Sequence, residues 1–110
     1  MKIPRRMRFL NRDIVVNILK ANDPELMVDD KKCNGNTDTD HRIINLTKVG
    51  EPGNEGIQPM NQELQDECFI HEYIHLVLEA FGYDELSGSE EFVTSMAAAI
   101  HHLVKQVSES

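Results

Sequence analysis

The chain contains one short segment whose residue types and spacing suit metal chemistry, His71-Glu72-Tyr73-Ile74-His75. Two histidines at i and i+4 of a helix project from one face about a turn apart, so both imidazoles can bind one tetrahedral Zn²⁺ at about 2.0–2.1 Å. Glu72 adjoins the first histidine, and its carboxylate can stand beside a metal-bound water and take its proton. The segment therefore predicts a zinc-dependent hydrolytic site, with His71 and His75 as ligands and Glu72 as general base.

A catalytic zinc site normally has three protein ligands and one open position, so a third ligand is expected. At about 100° per residue, Glu90 lies on the flank of the apolar face of the following helical segment, whereas Glu91 lies nearly opposite that face and is expected in solvent. Glu90 is therefore the favoured third ligand. Two alternatives stay open. Glu90 has the spacing to cap its helix by bonding back to Ser87, and Cys68 shares the face of the two histidines and could complete a Cys-His-His site.

The other histidines are expected away from this metal. His101 and His102 lie nearly three turns beyond Glu90, about 16 Å or more along the helix, which predicts surface positions. His41 opens a predicted strand and is expected to be exposed. Four side chains could aim a donor at a developing oxyanion, and nothing in the sequence chooses among Tyr73, Tyr83, His41 and His101.

Helical periodicity is strong around the motif. Asn61 is a suitable N-cap and Gly82 a suitable C′ residue. Between them, an apolar stripe predicted to be buried consists of Ile70, Ile74, Val77, Leu78 and Phe81. A second amphipathic helix is expected to open at residues 87–90, where Ser87 and Glu90 have capping-box spacing. Its apolar residues are Val93, Met96, Ala97, Ile100, Leu103, Val104 and Val107.

The first half of the chain predicts a small sheet. Residues 7–10 and 13–19 form apolar and β-branched clusters separated by Asn11-Arg12, which indicates two strands, or a strand and a short helix. Residues 21–41 predict mainly loop, 42–48 predict a strand, and the glycines and prolines of 49–61 predict another loop. The exposed edge of strand 42–48 could take an extended peptide as an added strand, although ordinary sheet pairing is an equal alternative.

Composition narrows the classes of function. The chain has 110 residues and a net charge of −8, which predicts one domain over residues 1–110 and makes nucleic acid an unlikely partner. Residues 1–20 hold six cations and one acid, so a basic interaction surface would be N-terminal. No apolar run suits a membrane span or a signal peptide. Cys33 and Cys68 are the only cysteines, which fits a reducing, cytoplasmic compartment.

Residues 41–107 resemble the small zinc metallopeptidase-like proteins of phages and bacterial prophage regions, minimal relatives of the gluzincin group. In that family a hydrophobic residue precedes H-E-x-x-H, and a short turn leads to S-E-x-x-V, in which the glutamate is the third ligand. The matching residues here are Ile70, His71, Glu72, His75, Ser89, Glu90 and Val93. The resemblance implies an α+β fold with a small sheet beside two metal-carrying helices, zinc dependence and a peptidase-like site.

The sequence thus predicts an α+β protein in which a small N-terminal sheet packs against two C-terminal helices, the first carrying the H-E-x-x-H motif. The expected function is zinc-dependent hydrolysis of a peptide or protein. The alternative is a structural or degenerate zinc-binding domain that serves as a protein-interaction module, because small metal sites commonly serve folding. A homodimer is conceivable, since the core is small and a strand edge is exposed.

Overall fold

The computed structural model describes residues 1–29, 31–53 and 58–110. The strands are β1 (Arg6–Phe9), β2 (Arg12–Leu19), β3 (Met27–Val28), β4 (Lys31–Lys32), β5 (Gly35–Asp38) and β6 (Ile43–Thr47). The helices are α1 (Gln62–Ala80), α2 (Asp84–Ser87) and α3 (Glu90–Glu109), and a 3-10 turn spans Pro24–Leu26. The predicted α+β class is confirmed. Residues 54–57, which belong to the predicted loop 49–61, lie outside the described residues.

The main sheet has the strand order β1-β2-β6-β5. β2 pairs antiparallel with β1 and parallel with β6, and β5 pairs antiparallel with β6. β3 and β4 form a separate two-stranded sheet. Because β6 lies between two partners, the hypothesis that its edge accepts a peptide is wrong, and ordinary sheet pairing is its role. The outer strands of the main sheet are β1 and β5.

The two-strand alternative for the N-terminal region is confirmed by the β1–β2 hairpin. Its tight turn is formed by Leu10 and Asn11, whose φ angles of 50° and 61° lie in the left-handed region that suits the twist of a two-residue hairpin. The break therefore falls one residue earlier than the predicted Asn11-Arg12, and Arg12 begins β2.

The prediction that residues 21–41 are mainly loop is wrong for β3, β4 and β5. β5 has the sequence Gly-Asn-Thr-Asp, which lacks the apolar and aromatic residues by which strands are usually found. Its partners compensate, since Nδ2 of Asn45 on β6 donates to Oδ1 of Asn36 at 3.0 Å. Tertiary pairing, which the local sequence does not encode, decides the conformation of this strand.

Helix α1 begins and ends where the sequence predicts. The side chain of Asn61 accepts a hydrogen bond from the Leu64 amide at 2.8 Å, and Gly82 follows the C-cap with a φ of 82°. The prediction that the apolar stripe of α1 is buried is partly wrong, because only Ile70 of its five residues is buried and Phe81 is 56% exposed.

The sheet instead packs on the neighbouring face of α1, which contains Gln65, Phe69, Glu72 and Leu76. Two of these residues are polar, but each finds a partner on the sheet. Nε2 of Gln65 donates to the Thr47 carbonyl at 3.0 Å, and Glu72 accepts from Thr37. This pairing removes the cost of burying them. The remaining core comes mainly from β2 and β6, through Ile14, Val16, Ile44 and Leu46.

Helix α3 begins at Glu90, with Ser89 rather than Ser87 as its N-cap. The Ser89 hydroxyl accepts from the Phe92 amide at 3.3 Å, whereas Ser87 ends the short helix α2. Val93 and Ala97 are buried, whereas the other apolar residues of α3 are half-buried or exposed. Among the described residues, no helix is both long enough and apolar enough to cross a membrane.

Candidate metal centre

Three side chains from two helices converge at one point. Nε2 of His71 and Nε2 of His75 lie 3.2 Å apart, and each faces a different oxygen of Glu90: His71 is 3.3 Å from Oε2 and His75 is 3.2 Å from Oε1. Over residues 1–29, 31–53 and 58–110, this is the one group of three or more histidine, cysteine or acidic side chains close enough to hold a metal ion.

The separation of the two imidazole nitrogens fits a shared metal ion, and the Glu90 carboxylate lies within reach of the same ion. Ligand atoms that lie about 2.0–2.1 Å from a tetrahedral ion are separated from one another by roughly 3.3 Å. The two imidazole nitrogens are 3.2 Å apart, and one ligand atom from each of the three residues lies within 4.8 Å of the other two. Two imidazole nitrogens and one carboxylate oxygen are also the donor set of known catalytic zinc sites, and they leave one tetrahedral position free of protein. The donor types and their spacing therefore fit Zn²⁺.

Local structure explains why the three side chains meet. His71 and His75 are one turn apart in the middle of α1, so their rings share a face. α2 and its flanking residues reverse the chain, and the Ser89 cap fixes the first turn of α3, which contains Glu90. The imidazoles are mostly buried, with exposed fractions of 20% and 15%, whereas the Glu90 side chain is 70% exposed. The site thus opens to solvent on the Glu90 side.

A chain of hydrogen bonds holds the His75 ring through its Nδ1 atom. Nδ1 of His75 lies 2.9 Å from the Ser87 hydroxyl, which donates to Oε2 of Glu79 at 2.8 Å. The Thr39 hydroxyl donates to the other oxygen of Glu79 at 3.1 Å. With its hydrogen given to Glu79, the Ser87 oxygen accepts from Nδ1–H of His75. This arrangement leaves the Nε2 lone pair facing Glu90 and His71, as a metal ligand requires.

Glu72 lies beside the cluster, on the buried side of α1. The Thr37 hydroxyl lies 2.7 Å from Oε1 of Glu72, to which it donates, and 3.2 Å from the Glu72 carbonyl. Burial raises the pKa of Glu72, and the hydrogen bond from Thr37 opposes that rise. Oε2 of Glu72 has no hydrogen-bond partner among the described residues. One oxygen is therefore anchored to β5 and the other is free to take a proton.

A cleft of about 450 Å³ contains these groups. It runs along α1 between β5 and α3, and its walls include Asn34, Gly35 and Asn36 on one side and Glu90, Thr94 and Ala97 on the other. Gly35 lies closest to β6, because a Cβ at this position would be only 3.1 Å from the Asn45 carbonyl oxygen, whereas it would meet Cγ of Glu72 on α1 at an ordinary contact distance of 3.6 Å. The edge of the sheet therefore forms one wall of the metal centre.

The predicted ligand set His71, His75 and Glu90 is brought together, and the rivals are not. The Ser87 amide donates to the Tyr83 carbonyl at 3.0 Å and Glu90 faces the two histidines, so the alternative in which Glu90 bonds back to Ser87 is wrong. Cys68 lines the cleft but is not in the group of ligand atoms. Burial, followed by the nearby carboxylates, raises the pKa of its thiol to about 12. Glu91 is exposed and does not line the cleft, as expected.

The remaining candidate residues lie elsewhere. His41 is exposed, as predicted, and its Nδ1 lies 2.8 Å from Oδ2 of Asp38. His101 is mostly buried, with 15% of its side chain exposed, so its predicted surface position is wrong, although it lies apart from the metal cluster as expected. His102 is exposed. None of the four residues considered as oxyanion donors lines the cleft, and the described residues leave that role unassigned.

Three supporting residues were not identified from the sequence: Thr37, Glu79 and Ser87. Thr37 lies in a segment that the sequence assigns to loop, and Ser87 was interpreted as a helix cap. Glu79 is at i+4 from His75, so its place on the histidine face was a usable signal.

Comparison with known proteins adds no relative, since no protein-family model, curated protein or solved structure matches the chain.

Proposed function

We propose that this protein is a zinc-dependent metallohydrolase that cleaves peptides, with His71, His75 and Glu90 holding the ion and Glu72 as general base. The observation that carries the proposal is the convergence of two imidazole nitrogens, 3.2 Å apart, with the Glu90 carboxylate, whose two oxygens lie 3.2 to 3.3 Å from them, beside a buried carboxylate in an open cleft. When bound, Zn²⁺ would act as a Lewis acid and make water acidic enough to lose a proton near neutral pH. Oε2 of Glu72 would receive that proton and pass it to the leaving nitrogen.

An extended peptide is the substrate class that the cleft suits best. Among the described residues, β5 pairs with a strand on one side only, which is β6, and the Thr47 amide donates to the Asn34 carbonyl at 3.0 Å. Antiparallel pairing alternates, so the backbone groups of Asn34 and Asn36 point toward β6 and those of Gly35 and Thr37 point toward the free edge. A peptide that adds to this edge would pass beside Glu72 and the three ligands.

The interaction-module alternative predicts a closed site with four protein ligands. In the described part of the chain, no fourth donor joins the group, and Cys68 lies outside it. This favours hydrolysis over a purely structural ion. We further propose a cytoplasmic location, because Cys33 and Cys68 are both free and reducing compartments keep thiols in that state.

The first test is metal content, measured by elemental mass spectrometry on protein purified without an affinity tag or a chelator. We expect one zinc per chain in the wild type and in Glu91→Ala and Cys68→Ala, and a large loss in Glu90→Ala. Glu72→Gln should keep the metal and lose peptide hydrolysis by about 10²- to 10⁴-fold. A wild-type protein that binds no zinc at neutral pH, or a Glu72→Gln variant of full activity, would refute the proposal.

A further inference from the structure

The described side chains that line the metal cleft carry more negative than positive charge. Its described lining includes three carboxylates, Glu67, Glu72 and Glu90, and no lysine or arginine. Two of the three have a task in the proposed mechanism. A divalent cation would offset the charges of Glu72 and Glu90, so Glu67 is the carboxylate of the cleft that the ion would not offset.

Glu67 is placed to meet a substrate residue near the cleaved bond. It precedes His71 by one helical turn and shares its face of α1, which puts it about 6 Å along the helix from that ligand. An extended peptide advances about 3.3 Å per residue. The Glu67 carboxylate, which lines the same cleft, is therefore one to two substrate residues away from the scissile bond.

The carboxylate of Glu67 is also available to a ligand. Nδ1 of His101 is 3.9 Å from Oε1 of Glu67, which is too long for a hydrogen bond, and 42% of the Glu67 side chain is exposed. The ammonium of Lys32 lies within electrostatic range of Cys33 and Cys68, but it is buried, does not line the cleft and also interacts with Glu51. The His101 ring thus lies beside Glu67 without a hydrogen bond to it, and the part of the Glu67 side chain that is exposed stays open to a ligand.

The walls beside Glu67 suit a long side chain with a charged end. Cys33, Cys68, Thr94 and Ala97 are small and uncharged, so they leave room for an aliphatic stem. Arginine and lysine bury such stems against apolar surface while their charged ends meet a carboxylate.

We propose that Glu67 is a specificity-determining residue that selects peptides with arginine or lysine within two residues of the cleaved bond. The inference rests on the proposed peptide hydrolysis, and its own evidence is the position of Glu67 in the cleft and the exposure of its carboxylate.

The test compares peptides that are identical except for arginine, norleucine or glutamate at each position flanking the bond. With zinc-loaded wild type, kcat/KM should favour arginine over norleucine by about 10- to 100-fold, as expected for one charge-assisted hydrogen bond. This ratio should fall toward one in Glu67→Gln, and Glu67→Lys should favour the glutamate peptide. Glu91→Gln carries the same charge change on an exposed residue outside the cleft and should keep the wild-type ratio.

A binding measurement separates this inference from the proposed function. Fluorescence anisotropy with zinc-loaded Glu72→Gln should show tighter binding of the arginine peptide, and the added change Glu67→Gln should abolish that difference even if no peptide is cleaved. Cleavage with no preference among the three peptides would refute the role of Glu67 and leave the hydrolase proposal intact. Equal binding of the three peptides by the Glu72→Gln protein would also refute it, and unchanged zinc content in each variant would exclude misfolding as the cause.

Discussion

The hydroxyl of Thr37 donates to Oε1 of Glu72 at 2.7 Å, so an edge strand directly holds the carboxylate next to the metal centre. Glu72 is 9% exposed, and burial alone disfavours its charged form. The hydrogen bond works in the opposite direction, because it stabilises the carboxylate that a general base must be. Burial on α1 and the hydrogen bond from β5 thus act in opposite directions on the pKa of Glu72.

Replacing Thr37 by valine should therefore raise the pKa of Glu72 further. Because Glu72 acts in its deprotonated form, the acid limb of the rate-against-pH curve should move to higher pH. At neutral pH the rate should fall, by less than in Glu72→Gln. Hydrolysis of one peptide across pH 5 to 9 checks this, with Thr37→Ser as the control that keeps the hydroxyl. An unchanged acid limb in Thr37→Val would contradict this role.

Ser87 links His75 to Glu79 by contacts of 2.9 and 2.8 Å. Ser87→Ala removes the acceptor of the His75 Nδ1 proton, so the ring loses its fixed tautomer and orientation. We expect zinc affinity to fall by about 10- to 100-fold, as is typical when a residue that orients a ligand is lost. Competition with a chromophoric chelator measures the change. Ser95→Ala, on the exposed surface of α3, should match the wild type, and an equal loss in both variants would argue against the hydrogen-bond chain.

The metal ligands were predictable from the sequence because both histidines lie on one helix, where spacing alone fixes their relative positions. Glu90 could be predicted for a related reason, because its angular position around the next helix distinguishes it from Glu91. The residues that support the three ligands could not be predicted in this way. Thr37 reaches Glu72 through the pairing of β5 with β6, and that pairing joins two segments with no shared periodicity.

The buried face of α1 is a second feature that periodicity in the sequence does not predict. A hydrophobic stripe predicted Ile74, Val77 and Phe81 as core residues, yet the sheet packs on the face that includes Gln65 and Glu72. Both polar residues are tolerated there because the Thr47 carbonyl and the Thr37 hydroxyl satisfy them. Periodicity identifies an apolar face, but only tertiary partners show that a polar face is the buried one.

Gly35 packs tightly against two residues of β6, which leads to a third prediction. A Cβ at this position would lie 3.1 Å from the Asn45 carbonyl oxygen and 3.2 Å from Cδ2 of Leu46. Gly35→Ala should push β5 away from its neighbours and lower the free energy of unfolding by about 1–3 kcal/mol, as overpacking does. Urea denaturation measures the change.

The matched control for Gly35 is Gly88→Ala. The added Cβ would there meet its nearest atoms at 3.5 and 3.6 Å, which is ordinary contact, and Gly88 has a right-handed helical conformation. This variant should be as stable as the wild type or slightly more so. Equal stability of Gly35→Ala and the wild type would show that β5 is not held as tightly as these contacts require.

Cys68 should make the free energy of unfolding depend on pH in the alkaline range. Burial, followed by the charges of Glu72 and Glu67, raises the pKa of its thiol from 9.0 to about 12. The unfolded chain loses this proton near pH 9, whereas the folded chain keeps it, so unfolding releases a proton between these two values. The free energy of unfolding should then fall by up to about 1.4 kcal/mol per pH unit from this group. Urea denaturation at pH 8, 9 and 10 measures the slope, and Cys68→Ala should reduce it while other alkaline titrations continue in both proteins. Identical slopes would show that the thiol ionises as readily in the folded protein as in the unfolded chain.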